Sequence, residues 1–203
     1  ELLKSTDLLS HIPNALQAFV LAMKGQKLSY GYCHSFMSYL ILLPLSEKFS
    51  WGQEQSKNKL LYLSLFRDLG LHNDRLIKAH HSSTERAKLN EEDSFIVHNH
   101  ADVAATMLEG IIKSSKDVPS MIREHHGMRN GKGFADALSL GVGPLTMANI
   151  VIEDLVTLYM ENPEREGPDK EVFLKIAEGL QQKYVKLTYA DVAMELVKFF
   201  KGQ

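Results

Sequence analysis

Seven of the nine histidines lie between His72 and His126, and the chain holds a single cysteine, Cys33. Imidazoles grouped with carboxylates and without thiolates suit borderline divalent ions such as Fe, Mn, Zn or Ni. A lone cysteine allows no internal disulfide and no cysteine-based zinc ribbon. His34 follows an aromatic-rich stretch containing Tyr30, Tyr32 and Phe36. Asp68 ends a strongly apolar segment, and Asp154 lies inside another, Asn149-Ile-Val-Ile-Glu-Asp-Leu-Val156. A carboxylate in such surroundings needs a partner, because burying an unpaired charge is expensive. His98 and His100 sit early in a helical segment, and His125-His126 close a short one. On a helix, adjacent side chains diverge by about 100°, so this pair is expected to address two ions.

Each residue also has a structural reading. A single buried His or Asp is most often hydrogen-bonded core. Asp68 can cap its helix or pair with Arg67. His80-His81 precede Ser82-Ser83 and read as solvent-exposed residues of a polar loop; His11 and His72 read as structural or exposed.

The elements that must position these groups are helical. Leu, Ala, Met and Ile recur at intervals of three and four, with almost no alternation of period two. Residues 2–23 read as a helix interrupted near Pro13, and residues 30–49 as a second helix kinked or ended by Pro44. The run 58–69 is a third helix, closed by Gly70 as a C-cap. Asn90 is placed to cap a helix to about residue 113, with Glu91, Glu92 and Asp93 at the positive end of its dipole. Asp117-Val-Pro119 opens a short helix that Gly127 ends, and Pro144 starts the next, to about residue 160. Two further helices are expected over 170–183 and 188–201. Between Gly127 and Gly143 lie five glycines and an Asn130-Gly131 turn signal; so long a connection is usually functional or disordered. The expectation is an all-α protein of seven or eight helices. Residues 1–27 would form a connector from a missing N-terminal region, and residues 28–203 the working domain.

Composition narrows the classes. With 203 residues, 44% hydrophobic and 24% charged, the chain has the balance of a single globular domain. A net charge of −2 argues against a general binder of nucleic-acid polymers or anionic membranes. The longest apolar run, Leu40 to Leu45, is interrupted by Pro44 and falls far short of the roughly 20 residues that span a bilayer. With one cysteine and no signal-peptide pattern, a cytoplasmic location is expected.

The succession His34, Arg67-Asp68, His100, His125-His126, Gly131-Lys-Gly133-Phe-Ala135 and Asp154 resembles the HD-GYP family. These are bacterial metal-dependent phosphodiesterases acting on cyclic di-GMP, within the HD superfamily of helical phosphohydrolases. The resemblance covers about residues 28 to 200. It implies that His34, Asp68, His100, His125, His126 and Asp154 are metal ligands. One ion would take Asp68, His100, His125 and His126; a second, weaker one would take His34, Asp68 and Asp154. Asp68 would bridge them and be the catalytic carboxylate. The implied cofactors are two divalent ions, Fe or Mn first, with Zn or Ni also suited.

The pattern departs from the family at the substrate contacts. Arg67 stands for the first His of the HD motif, Leu71 for a phosphate-binding lysine, Gly127 for a glutamate and Gly133-Phe134-Ala135 for Gly-Tyr-Pro. Arg67 either turns to a structural carboxylate or replaces the lost lysine as a phosphate contact. Lys132 and Arg129 can approach phosphate or be solvated charges, and Phe134 can stack on guanine. Arg67, Lys132 and Phe134 are thus the expected substrate-binding residues. The implied function is hydrolysis of cyclic di-GMP or a related phosphodiester by a metal-bridging water. The alternative is a degenerate module that binds metal, and a cyclic dinucleotide, as a sensor without turnover. A homodimer and a regulatory region N-terminal to this chain are the other expected partners.

Overall fold

The computed structural model describes residues 28–52, 54–111, 117–135, 141–162, 170–185 and 189–202. These residues are all-helical, as the spacing of apolar residues predicts. Among them run nine helices: α1 (Tyr30–Ser46), α2 (Glu54–Phe66), α3 (Asp74–His81), α4 (Ser83–Arg86), α5 (Glu91–Ile111), α6 (Asp117–Glu124), α7 (Pro144–Glu161), α8 (Lys170–Tyr184) and α9 (Ala190–Lys201). None is long and apolar enough to cross a membrane. The N-terminal stretch 1–27, His11 and loop residues 136–140 lie outside the described residues.

Helix α7 is central. Apolar residues cover most of its circumference, and Ala148, Val151, Ile152, Leu155 and Val156 are fully buried, as expected of a helix enclosed on all sides. It packs against α1, α8 and α9 in the main core, with Met37, Ile41, Leu45, Phe173, Tyr184 and Leu196. A second cluster joins α2, α5 and α6 through Leu63, Ala104, Leu108, Val118 and Ile122. A third, of Leu71, Leu76 and Val97, lies under α3. Buried between these clusters is a polar seam, and the candidate site occupies it.

Local chemistry fixes the ends that point into this seam. Asn90 caps α5 by accepting from the Asp93 N–H at 2.8 Å. Gly127 follows α6 with φ +77, the left-handed conformation that glycine tolerates. Pro144 is the first residue of α7. Pro44 lies inside the last turn of α1, which continues to Ser46. In that position the ring ends the helix within a turn and does not kink its middle.

Gly70 is not a left-handed cap. Helix α2 ends at Phe66, and Gly70 lies where a Cβ would meet the His100 carbonyl oxygen at 2.8 Å. The residue permits contact between the α2–α3 turn and α5, and so brings Asp68 beside His100.

The residues read as a polar loop before Ser82 form α3. Asn73 caps it, accepting from the Leu76 N–H at 2.9 Å. Asp74 then accepts from the N–H groups of Tyr30 (2.8 Å) and Gly31 (3.1 Å) at the start of α1. That link fixes α3 across α1, with Leu76, Ala79 and His80 facing inward.

Candidate metal centre

Asp68 stands in the turn after α2, His80 and His81 end α3, His100 lies in α5, and His125-His126 follow α6. His80, His100 and His125 are at most 2% exposed, and the His81 side chain is 3% exposed. Two groups of ligand atoms converge: His80, His100, His125 and His126 in one, and Asp68, His80 and His81 in the other. The atoms of each lie within 4.8 Å of one another.

The tautomers in the first group follow from its neighbours. His100 Nδ1 is 2.6 Å from the Val97 carbonyl, and His125 Nδ1 is 2.5 Å from the Ile122 carbonyl. A carbonyl only accepts, so each Nδ1 carries the proton and each neutral ring leaves a lone pair on Nε2. Those two Nε2 atoms are 3.3 Å apart. Neither can donate to the other. His126 Nε2 lies 3.1 Å from His100 Nε2 and 2.6 Å from His80 Nε2.

Four imidazole nitrogens around a tetrahedral ion stand about 3.3 Å apart. The His100–His125 and His100–His126 edges fit that spacing, whereas His80–His126 is tighter. Backbone carbonyls on the outer nitrogens are the usual support of metal-binding histidines. These buried His and Asp groups could therefore hold a metal ion.

Burial holds these rings neutral. It lowers the pKa of His80, His81, His125 and His126 well below the ordinary value, with neighbouring rings adding to the effect. His100 is lowered too, with Asp68 opposing. Neutral imidazole is the form that binds metal.

The predicted site residues divide between three places. His100, His125 and His126 come together with His80, whereas Asp68, expected in the same set, groups with His80 and His81 instead. His125 and His126 do not diverge toward two ions, because α6 ends at Glu124 and both belong to one group. His34 and Asp154 join neither group among the described residues. Both ring nitrogens of His34 are engaged: Nδ1 is 2.7 Å from Arg67 Nη2 and Nε2 is 3.0 Å from the Thr157 hydroxyl. Asp154 accepts from Lys183 Nζ and the Tyr184 hydroxyl, both at 2.5 Å. Burial and the Asp154 charge push the Tyr184 pKa upward, so its hydroxyl stays a donor.

Arg67 is completely buried. Its Nε lies 2.8 Å from Glu153 Oε1, while Nη1 donates to the Ser64 carbonyl at 3.3 Å. The first of its two expected roles, pairing with a structural carboxylate, matches this placement; the phosphate contact does not. Asn149, Glu153 and Thr157, at intervals of four, form the polar stripe of α7 that receives Arg67 and His34. Asn149 Nδ2 also donates to Glu153. Burial pushes the Glu153 carboxyl up to about 8, against the pull of Arg67.

Sequence reasoning missed His80 and His81 as inward-facing groups. The available signal was Asn73 as a cap, followed by Leu76, Ile77, Ala79 and His80 at helical spacing. It missed Arg86 as well, which α4 holds with its Cζ 3.8 Å from the Phe134 ring centre. Arg86 Nη1 donates to the His80 carbonyl at 2.6 Å.

A cleft of about 320 Å³ opens beside the histidines and is lined by Arg86, Phe134, Asp154 and Lys183 among others. Phe134 packs on His126, with ring centres 4.5 Å apart. The loop carrying it is clipped to α5 where the Gly133 N–H donates to the His98 carbonyl at 2.7 Å. A second clip runs from the Asp102 N–H to the Gly131 carbonyl at 3.2 Å. Lys132 is exposed and is not among the residues that line the cleft. Arg129 Nη2 donates to the Gly141 carbonyl at 3.4 Å.

No family model matches the chain, and no curated protein or solved structure matches it.

Proposed function

We propose that the chain is a metal-dependent phosphodiesterase of the HD-GYP type, acting on cyclic di-GMP or a related phosphodiester. The observation that carries this reading is the pair of facing lone pairs on His100 and His125, 3.3 Å apart. Two buried acceptors at that distance repel unless a cation or a shared proton lies between them, and burial disfavours the proton. A divalent ion there would supply a water of lowered pKa and polarise a phosphoryl oxygen. The adjoining cleft suits a phosphate ester. Arg86 and Lys183 are cations on its wall, and Phe134 offers an aromatic face. Its volume is at the small end of the roughly 300–1,000 Å³ usual for ligand clefts, which favours entry of one phosphodiester linkage with its neighbouring group.

The second reading, a metal-binding sensor without turnover, has its own support. Arg67 and His34 occupy each other in the interior, and Leu71 is buried where the family carries its lysine.

Elemental analysis of the purified chain, then hydrolysis of bis(p-nitrophenyl) phosphate and of cyclic di-GMP, separates the two. The enzyme reading expects hydrolysis that needs metal and is lost in His125→Ala. A metal-loaded chain that cleaves neither compound overturns it in favour of the sensor.

A further inference from the structure

Beside the four-histidine group five buried polar atoms lack hydrogen-bond partners: Arg67 Nε, which turns toward Glu153, and four more, Asp68 Oδ1, Asp68 Oδ2, His80 Nδ1 and His81 Nε2. The last four face one another. His80 Nδ1 is 3.4 Å from Asp68 Oδ1, and His81 Nε2 is 3.9 Å from Asp68 Oδ2. Neither contact is a hydrogen bond. The nearest cationic atom is Arg67 Nε, 3.5 Å from Asp68 Oδ2, and it is closer to Glu153, at 2.8 Å. Native interiors rarely leave buried polar atoms unpaired, because each costs about 1–3 kcal/mol. Four in one place need a shared partner. A cation satisfies a carboxylate and two imidazole lone pairs together, which a proton or an apolar neighbour does not.

We infer that Asp68, His80 and His81 form a second cation site, joined to the His100–His125–His126 group through the His80 ring. His80 Nε2 faces the first group, 2.6 Å from His126 Nε2, while Nδ1 faces Asp68. The bridge is therefore an imidazole rather than the Asp68 carboxylate. It holds the cations apart by the width of a ring, unlike the roughly 3.5–4 Å of oxygen-bridged pairs. Two imidazoles and one carboxylate select a borderline ion such as Zn(II), Co(II) or Cu(II) over Mg(II) or Ca(II). With both ring nitrogens bound, His80 releases its remaining N–H proton to solvent; no electron is transferred. The ring of His81 is braced for this role by stacking on His34, 3.7 Å between centres. The assignment rests on the metal-centre reading for its first cation, and is independent of hydrolysis.

The test uses the whole chain, stripped with a chelator and titrated with Cu(II). Bound metal is measured after equilibrium dialysis, and spin coupling by electron paramagnetic resonance. Wild type is expected to bind two ions per chain, with the signal of the first diminished as the second binds. His81→Phe keeps the stacked ring and removes its nitrogen; Asp68→Asn keeps the shape and removes the charge. Each is expected to bind one ion with an undiminished signal, while circular dichroism shows the wild-type helix content. One ion in wild type, or two in both variants, overturns the second site. Two coupled ions in a chain that cleaves no phosphodiester sustain the second site while overturning the hydrolase reading.

Discussion

Arg67 Nη2 and His34 Nδ1 lie 2.7 Å apart in the interior, with the Arg67 Nε 2.8 Å from Glu153. The guanidinium occupies His34 from one side and Thr157 from the other, so the ring cannot turn a free nitrogen toward an ion. Arg67 and His34 are thus packed as one unit.

Breaking this knot is expected to be costly. In Arg67→Met the buried Glu153 carboxyl, already raised to about 8, takes its neutral form but loses its partner, and a buried polar group left unsatisfied costs about 1–3 kcal/mol. Urea denaturation reads the loss directly. The double change Arg67→Met with Glu153→Leu removes both polar groups and is expected to recover most of it. Equal destabilisation of the single and double variants would show that Arg67 acts through its volume rather than its charge.

Metal should stabilise the folded chain, because the ligand atoms converge only when α3, α5 and the end of α6 are packed. Zn(II) at about 100 times its Kd adds about 2.7 kcal/mol, and a Tm rise of roughly 5–10 °C follows for a chain of this size. His125→Ala is expected to abolish the rise. An unchanged shift in that variant, followed by differential scanning calorimetry, would place the ion elsewhere.

These groups differ in how far the sequence announces them. Helices α5, α6 and α7 are legible because their ends carry local chemistry: Asn90 as a cap, Asp117-Val-Pro119 before Gly127, and Pro144 as a first residue. Asp68, His100, His125 and His126 are legible from type and order. His80 and His81 are not, since their inward orientation depends on α3 lying across α1, a tertiary link made by Asp74. Gly70 misleads for a similar reason. Its role is close approach to His100, which no local pattern reveals.

The buried imidazoles make stability depend on pH with a definite sign. His34, His80, His81, His100, His125 and His126 all have pKa values lowered by burial. Below about 6.5 the unfolded chain takes up protons that these folded rings refuse, so stability falls as pH drops through that value. Between pH 7.5 and 5.5 each ring contributes about 1 kcal/mol of loss. Chemical denaturation of the metal-free chain at both pH values measures the sum. Stability unchanged or higher at pH 5.5 would mean that the rings are protonated in the folded state.

Gly131 and Gly133 hold the cleft loop against α5. Their φ values are +69 and +75, and a Cβ on Gly133 would lie 2.6 Å from His98 Cε1. Gly133→Ala is therefore expected to cost about 1–3 kcal/mol in strain. It should loosen Phe134 while leaving His100 in place. Metal content at the wild-type level together with a lowered urea midpoint is the expected outcome; a midpoint equal to wild type would show that the loop yields without cost.

The stacked pair of Arg86 and Phe134 provides the last prediction, on how the cleft recognises its ligand. Arg86 lies over one side of the Phe134 ring, 3.8 Å from its centre, and its Nη1 is held by the His80 carbonyl. Under the proposed function its remaining guanidinium donors would meet an anion beside the histidines, and the ring would stack on a base. Loss of base stacking costs about 1–3 kcal/mol, so Phe134→Ala should weaken inhibition by GMP roughly 5- to 150-fold. Inhibition by inorganic phosphate, which has no base, should change little. Arg86→Gln should weaken both inhibitors, because it removes the charge that either phosphate would meet. Competition assays with the two inhibitors on both variants separate the roles. If Phe134→Ala weakens phosphate as strongly as GMP, the ring serves only to brace Arg86, and the base lies outside this cleft.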